Sequence, residues 1–196
     1  MDIHLRENTL IHIMNGGFEK AAIAFSRLIN KPVKIINTQS ILIHHEDDIS
    51  YISEELGELS VLVTQIIGDI SGKSYLIFSQ DESKEIFRAL NTSISNESLH
   101  QAFLLEIDNI ISASVIAELS NAFSLEIYGD VPRLSKVKAM DLQKFMDTDA
   151  LSDTRSSVIF CNTTFRFDDR DNIHPQFIWK LSNKIFEVVP DRKLTA

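Results

Sequence analysis

A carboxylate and a carboxamide lie three positions apart in an apolar stretch near the middle of the chain. They belong to Glu106 and Asn109, within residues 103–112. On a helix, residues at this spacing share a face, and helical geometry directs Asp108 elsewhere. A carboxylate can hold a cation on a partner, and a carboxamide both donates and accepts hydrogen bonds, so that it can orient a water molecule. Glu106 and Asn109 are therefore the candidate catalytic pair.

Other residues of reactive type form no recognisable site. Residues 44–48 contain two adjacent histidines and three acidic residues, but neighbouring strand residues point to opposite faces and rarely ligate one ion together. We interpret them as a solvated loop. Residues 168–171 are interpreted as a hairpin tip, which lacks the spacing of a calcium loop. Cys161 alternates with apolar neighbours in a predicted strand and is interpreted as a buried small hydrophobe. We predict no metal site.

Composition and charge argue against two classes of partner. The chain has 196 residues, of which 44% are hydrophobic and 24% charged, and its net charge is −9. Nucleic acids demand a basic face, so no nucleic-acid partner is expected. The first residues lack the features of a signal peptide, and no apolar stretch reaches the roughly 20 residues that cross a bilayer. We therefore predict a soluble, cytoplasmic protein without membrane association, which the single cysteine also suits.

Hydrophobic periodicity and turn residues predict the elements that position the pair. Two long helices are expected at residues 7–29 and 97–123, and shorter helices at 81–89, 140–146 and 183–189. The predicted strands are 33–36, 59–67, 74–79, 125–128, 158–167 and 177–181. Residues 40–51 are interpreted as a loop or an edge.

The order of these elements repeats along the chain. An offset of 94 residues carries Asn15 to Asn109 and residues 24–28 to 118–122. Short turns favour antiparallel pairing, and amphipathic helices must cover a sheet face. We predict an α/β fold in which two pseudo-symmetric repeats, roughly 1–94 and 95–196, form one mostly antiparallel sheet with two long helices packed on it. The chain 1–196 is then a single domain.

Here the sequence resembles a known family. Glu106, Asn109 and Pro132 fulfil the pattern Glu-x2-Asn-x22-Pro, which is the signature of the CheC, CheX and FliY phosphatases of bacterial chemotaxis. The predicted hairpin at residues 68–78 resembles a strand pair of CheC proteins, and residues 15–22 fall at the family's first helix. In element order the resemblance covers nearly the whole chain, and it implies a CheC-like fold.

The resemblance also implies a function. Members of this family hydrolyse the aspartyl-phosphate of a phosphorylated CheY-type response regulator, in chemotaxis or two-component signalling, without a covalent enzyme intermediate. Asn109 would enter the active site of the receiver domain and align a water, and Glu106 would pair with the receiver's lysine. The receiver would supply the divalent metal, Mg²⁺, so that the chain needs no cofactor of its own. Pro132 would support the motif.

The sequence departs from the family pattern at several positions. Ala102 stands where the family has Asp or Ser, four residues before the Glu. The 94-residue offset gives a first site at His12, Asn15 and Thr38, in which His12 replaces the Glu and Thr38 the Pro. A neutral imidazole cannot pair with a lysine as a carboxylate does, and a protonated one repels it. We therefore predict a degenerate first site.

Two further interpretations stay open. The chain is alternatively a non-catalytic binding module or adaptor of CheC fold, for a response regulator, for the deamidase CheD or in the flagellar switch. A homodimer through an exposed sheet edge is also compatible with the sequence. The catalytic hypothesis requires Glu106 and Asn109 to be exposed on one helix face, and it would be overturned by an Asn109 buried with its hydrogen bonds satisfied.

Overall fold

The computed structural model describes residues 3–43, 57–89, 96–148, 156–167 and 171–190. Its helices are α1 (Ile3–Ile29), α2 (Gln80–Ala89), α3 (Glu97–Phe123), α4 (Leu142–Thr148), which follows a 3-10 turn at Ala139–Asp141, and α5 (Ile185–Val188). Its strands are β1 (Val33–Ile43), β2 (Glu58–Gly68), β3 (Gly72–Ser79), β4 (Ile127–Gly129), β5 (Arg133–Lys138), β6 (Ser156–Phe167), β7 (Asp171–Ile173) and β8 (Gln176–Ser182).

All eight strands belong to one sheet. Its order is β1-β6-β8-β3-β2-β4, with β5 paired to β2 and β7 paired to β6. Each of these pairings is antiparallel. The predicted fold class, an α/β arrangement with a mostly antiparallel sheet and long helices, is therefore confirmed. The boundaries of the two predicted repeats stay a prediction.

The sheet is covered on both faces. Side chains alternate between the faces of a strand, so that Leu62 and Ile66 of β2 join the larger core beneath α1 and α3. Val61 and Val63 join a smaller cluster on the opposite face, which Met146 of α4 helps to close. This two-sided burial explains why the central strands read as continuous apolar runs.

The two long helices pack closely against each other. A Cβ added to Gly17 of α1 would lie 2.6 Å from the Cα of Val115 in α3, so only a glycine permits this approach. Farther along the same seam, Lys20 of α1 pairs with Glu118 of α3. The crossing of α1 and α3 is therefore fixed by a backbone contact as well as by side chains.

The second long helix has the predicted bounds, Glu97–Phe123. Asn96 caps it, since its side chain accepts a hydrogen bond from the backbone N–H of Ser98. At the other end Ser124 adopts a left-handed conformation with φ of 53°. These cap residues account for the sharp start and stop of the helix that presents the candidate site.

Several sequence predictions about elements were wrong. The strand predicted at 33–36 continues as β1 to Ile43, past a register shift between Asn37 and Gln39. Residues 40–43 therefore belong to an edge strand, the second of the two interpretations given for residues 40–51, and not to a loop. Residues 44–51 lie outside the described ranges. The strands β5 and β7 were missed, so that Asp171, interpreted as part of a hairpin tip, begins β7. The closing helix predicted at 183–189 is the single turn Ile185–Val188.

Candidate functional site

Helix α3 presents Glu106 and Asn109 on its outer face. Both side chains are exposed, and Ala102, Ala113 and Ala117 continue the same exposed stripe. The side of α3 turned to the sheet carries the buried residues Leu104, Ile107, Asp108, Ile111, Ser112, Val115, Ile116 and Leu119. The exposure and the shared face required by the catalytic hypothesis are present.

Neither side chain of the pair is engaged elsewhere. Across the described ranges, Glu106 and Asn109 make no side-chain hydrogen bond or ion pair. Both donor and acceptor of the Asn109 carboxamide, and both carboxylate oxygens of Glu106, are thus free to bind a partner. The catalytic roles of the two residues remain a prediction.

Asp108, between them in sequence, points into the core. It is 0% exposed, and its Oδ2 accepts a hydrogen bond of 2.7 Å from Oγ1 of Thr64 in β2. Burial raises the pKa of the Asp108 carboxyl to about 7, against the lowering effect of the Thr64 hydrogen bond. Sequence reasoning directed Asp108 away from the pair but missed this partnership. An acidic residue among apolar helix positions was its only signal.

Pro132 lies where the pairing along β2 is interrupted. β4 pairs with residues 66–68 of β2 and β5 with residues 58–63, so that Thr64 and Gln65 face the connection that contains the buried Pro132. In that connection the backbone N–H of Asp130 donates to the carbonyl of Gln65 over 2.8 Å. Pro132, the third motif residue, therefore lies beside Thr64, the residue whose hydroxyl donates to Asp108.

The predicted first site has a different geometry. His12 is exposed and Asn15 is half-buried. Oδ1 of Asn15 accepts a hydrogen bond of 2.8 Å from Nδ2 of Asn37, which also donates to Oγ of Ser40 over 2.6 Å. The carboxamide of Asn15 is thus already engaged within the protein, whereas that of Asn109 is not. Of the Thr38 side chain nothing is described.

Cys161 is buried, as the sequence indicated. Oγ of Ser40 donates to its sulfur over 3.6 Å, and burial raises the pKa of the thiol to about 12. It is therefore no nucleophile near neutral pH. The described ranges contain no group of three His, Cys, Asp or Glu residues able to hold a metal ion. Residues 44–48 and 168–170 of the sequence analysis lie outside those ranges.

Among the described helices, none combines the length and apolarity needed to span a membrane.

Comparisons with known proteins find solved structures of similar fold. No protein family and no curated protein matches the chain by sequence. FliY of Thermotoga maritima has a similar structure, with a TM-score of 0.67 and 14% identity over 95% of this chain and 94% of that one. The FliM middle domain of Vibrio alginolyticus has a TM-score of 0.60 and 7% identity, over 91% of this chain and 96% of that one. For CheX of Desulfovibrio desulfuricans the TM-score is 0.53 and the identity 17%, over 87% of this chain and 97% of that one.

These identities are low enough that the likeness shows a shared fold and no more. The predicted CheC-like fold is confirmed by it.

Proposed function

We propose that this chain, whose fold is CheC-like, is a phosphatase that hydrolyses the aspartyl-phosphate of a CheY-type response regulator. The observation that carries the proposal is the pair of exposed, unengaged side chains of Glu106 and Asn109 on one face of α3. The residues that match the family motif are thus available to a partner. The proposal places the protein in a cytoplasmic chemotaxis or two-component pathway.

In this mechanism the chain contributes positioning and charge rather than a nucleophile. The carboxamide of Asn109 orients a water for in-line attack on the phosphoryl group, and the carboxylate of Glu106 binds the lysine of the receiver's active site. Phosphoryl transfer depends chiefly on such positioning and on charge neutralisation. The receiver contributes the Mg²⁺ ion, so this chain needs only to bind the receiver, orient the attacking water and exclude other water.

The surroundings of the pair suit close approach to another protein. Ala102, Ala113 and Ala117 flank the pair along the exposed stripe of α3. Methyl groups leave the carboxamide of Asn109 standing above its neighbours, so it can enter a concave site. Glu106 is the charged residue of this stripe, which suits the recognition of a single cation on the receiver.

The test is phosphate release from a CheY-type receiver loaded with a small phosphodonor in the presence of Mg²⁺. We expect the wild-type chain to accelerate release and Asn109→Ala to reduce the acceleration by about 100-fold or more, the usual effect of removing one transition-state hydrogen bond. Glu106→Gln should raise the receiver concentration needed for half-maximal rate by about tenfold, because a charged pair is lost. Unchanged acceleration by Asn109→Ala would overturn the proposed mechanism.

A second candidate function is a non-catalytic binding module or adaptor. Two observations favour it: Ala102 leaves the exposed stripe without the polar residue that the family motif has there, and the FliM middle domain shares the fold. A solved structure of similar fold, with a TM-score of 0.63, is a FliG–FliM complex of H. pylori. The adaptor function predicts that wild type binds a receiver, CheD or a flagellar-switch protein and never accelerates phosphate release.

A further inference from the structure

The buried side of α3 is joined to the sheet by polar side chains directly behind the candidate pair. Asp108 accepts from Thr64, and Oγ of Ser112 lies 3.4 Å from Oγ1 of Thr64 while donating to the Asp108 carbonyl. Asp108, Ser112 and Thr64 are all at most 2% exposed. Such a group within an apolar core specifies one rotation of the helix, because any other would break its hydrogen bonds.

The polar group continues across the sheet. Thr64 pairs with Ser74 of β3, and Ser74 pairs with Trp179 of β8. Directly opposed residues on antiparallel strands share a face, so these three side chains form a row beneath α3. Among the described residues, Oδ1 of Asp108, Oγ of Ser74 and Nε1 of Trp179 are buried without a hydrogen-bond partner. The Asp108 carboxyl therefore has one bonded oxygen and one unbonded oxygen.

Thr64 is itself held tightly from the other side. A Cβ added to Gly129 of β4 would lie 3.2 Å from Cγ2 of Thr64 and 3.0 Å from Cδ1 of Ile116. β4 thus touches both the strand that carries Thr64 and the helix that carries Asp108. The contact between Asp108 and Thr64 is the polar centre of a close three-element junction of α3, β2 and β4.

The position of Asp108 links this junction to the candidate pair. Adjacent residues of an α-helix are separated by about 100° around its axis and by about 1.5 Å along it. Any rotation or lift of α3 that lengthens the bond from Thr64 to Asp108 must move Asn109 with it. A displacement of about 1 Å is enough to lose roughly 100-fold in rate where catalysis depends on alignment.

We propose that Asp108 is a positioning residue, whose buried hydrogen bond to Thr64 sets the rotation of α3 and so the direction in which Glu106 and Asn109 face the partner. The catalytic part of this inference rests on the proposed phosphatase function. The structural part, a coupling between Asp108 and the outer face of α3, does not depend on it.

Ionisation of Asp108 gives the proposed coupling a measurable dependence on pH. The groups that the structure places in this junction are the hydroxyls of Thr64 and Ser112 and the backbone of Gly129, none of which titrates. Helix α1 contributes apolar residues to the same core, among them Met14 and Phe18. Lys20 of α1 and Glu118 of α3 pair with each other about three turns farther along.

Burial raises the pKa of the Asp108 carboxyl to about 7. The neutral carboxyl is the form that this junction accommodates, and the carboxylate loosens it, because a buried charge with one unbonded oxygen is unfavourable.

The experiment compares wild type with Asp108→Asn, Thr64→Val and Ser74→Ala in receiver-stimulated phosphate release at about pH 5.5 to 8.5, each rate divided by that of the receiver alone. Asp108→Asn keeps an acceptor for Thr64 and cannot ionise. The rate of stimulated phosphate release by wild type should therefore fall about tenfold relative to that of Asp108→Asn as the pH rises through about 7. Thr64→Val should lower kcat by about tenfold or more and change the half-saturating receiver concentration less than threefold. Ser74→Ala removes a buried hydroxyl of the next strand that bonds neither Asp108 nor Thr64, so it is the matched control and should behave as wild type.

Parallel pH profiles for wild type and Asp108→Asn, together with a wild-type kcat for Thr64→Val, would overturn the proposal. NMR of the chain alone separates this failure from failure of the proposed function. The carboxyl ¹³C signal of Asp108 reports its ionisation, and the amide signals of Glu106 and Asn109 should shift with the same midpoint. If they shift while phosphate release is never accelerated, the phosphatase is wrong and the coupling stands. If they shift neither with pH nor in Thr64→Val, the coupling is wrong whatever the activity.

Discussion

Asn15 and Asn109 are the same residue at positions 94 apart, yet their side chains have different partners. The carboxamide oxygen of Asn15 accepts a hydrogen bond from Asn37, while Asn109 makes no side-chain hydrogen bond within the described ranges. A carboxamide oxygen that already accepts a hydrogen bond within its own protein has one lone pair fewer for a water in a partner's site, and its orientation is fixed. Hydrogen bonding, rather than residue type, therefore distinguishes the two sites.

Replacement of Asn15 tests this distinction. We expect Asn15→Ala to leave the acceleration of phosphate release within about twofold of wild type and to lower the free energy of unfolding by about 1 kcal/mol, since Nδ2 of Asn37 loses an acceptor. Phosphate release and urea unfolding measure the two effects, with Asn109→Ala as the matched comparison. A loss of activity in Asn15→Ala as large as that in Asn109→Ala would show that the first site is functional.

At the scale of elements, the pair of glycines in α1 sets how α1 meets α3. Gly17 lies against the backbone of Val115, whereas the nearest atom to a Cβ on Gly16 would be Oε2 of Glu118, at 3.6 Å. The first contact is with main chain that cannot move aside, and the second is with the end of a flexible side chain. One glycine is required by packing and its neighbour is not.

This difference predicts opposite effects of two equivalent substitutions. Gly17→Ala should lower the free energy of unfolding by about 1 to 3 kcal/mol, because α1 and α3 must separate to admit the methyl group. Gly16→Ala should be neutral or raise it by up to about 1 kcal/mol, because alanine is the better helix former. Urea denaturation of both variants gives the answer, and equal stabilities would contradict the packing argument.

Some of the elements were predicted from the sequence, and others were not. Helix α3 was predicted with its observed bounds, because its hydrophobic periodicity is sustained over 27 residues. Strand β5 was missed, since it is an edge strand of six residues, three of them basic, whose pairing with β2 a local pattern does not reveal. β1 was cut short because the polar residues at its register shift resemble a loop.

The candidate pair was proposed from its helical spacing together with the family pattern that includes Pro132, whereas the contacts behind the pair were not predicted. The hydrogen bond between Asp108 and Thr64 joins residues 44 positions apart, on a helix and a strand whose relative rotation depends on the packing of the whole core. Pro132 was found through the motif, but its place opposite Thr64 follows from the split of the strand pairing between β4 and β5. Contacts of this kind require the sheet order, which the sequence analysis did not predict.

At the scale of the whole molecule, the sheet order brings the separate parts of the site together. β2 pairs with β3 on one side and with β4 and β5 on the other, and α3 lies across it. Helix α3, through Asp108, and the connection that contains Pro132 thus meet at one strand. FliY, CheX and the FliM middle domain share this fold, and a fold by itself does not decide a function.

The buried carboxyl of Asp108 makes the stability of the molecule depend on pH in a definite direction. Its pKa is raised from the ordinary 3.8 to about 7 in the folded protein, so folding takes up a proton between these values. The stability due to the neutral carboxyl is present below about pH 4 and is lost as the pH rises through about 7. Above about pH 7 both states are ionised at this group, and its contribution becomes constant.

Comparison with Asp108→Asn isolates this contribution from those of the other acidic residues. Urea unfolding at about pH 5, 6, 7 and 8 should show the free energy of unfolding of the variant increasing relative to wild type as the pH rises, and levelling off above about pH 7. The reason is that wild type must keep a carboxylate in the junction of α3, β2 and β4, while the carboxamide stays neutral. A difference that is constant with pH would mean that Asp108 ionises in the folded protein as it does in the unfolded chain. The pH-dependent part of the coupling between Asp108 and α3 would then be wrong.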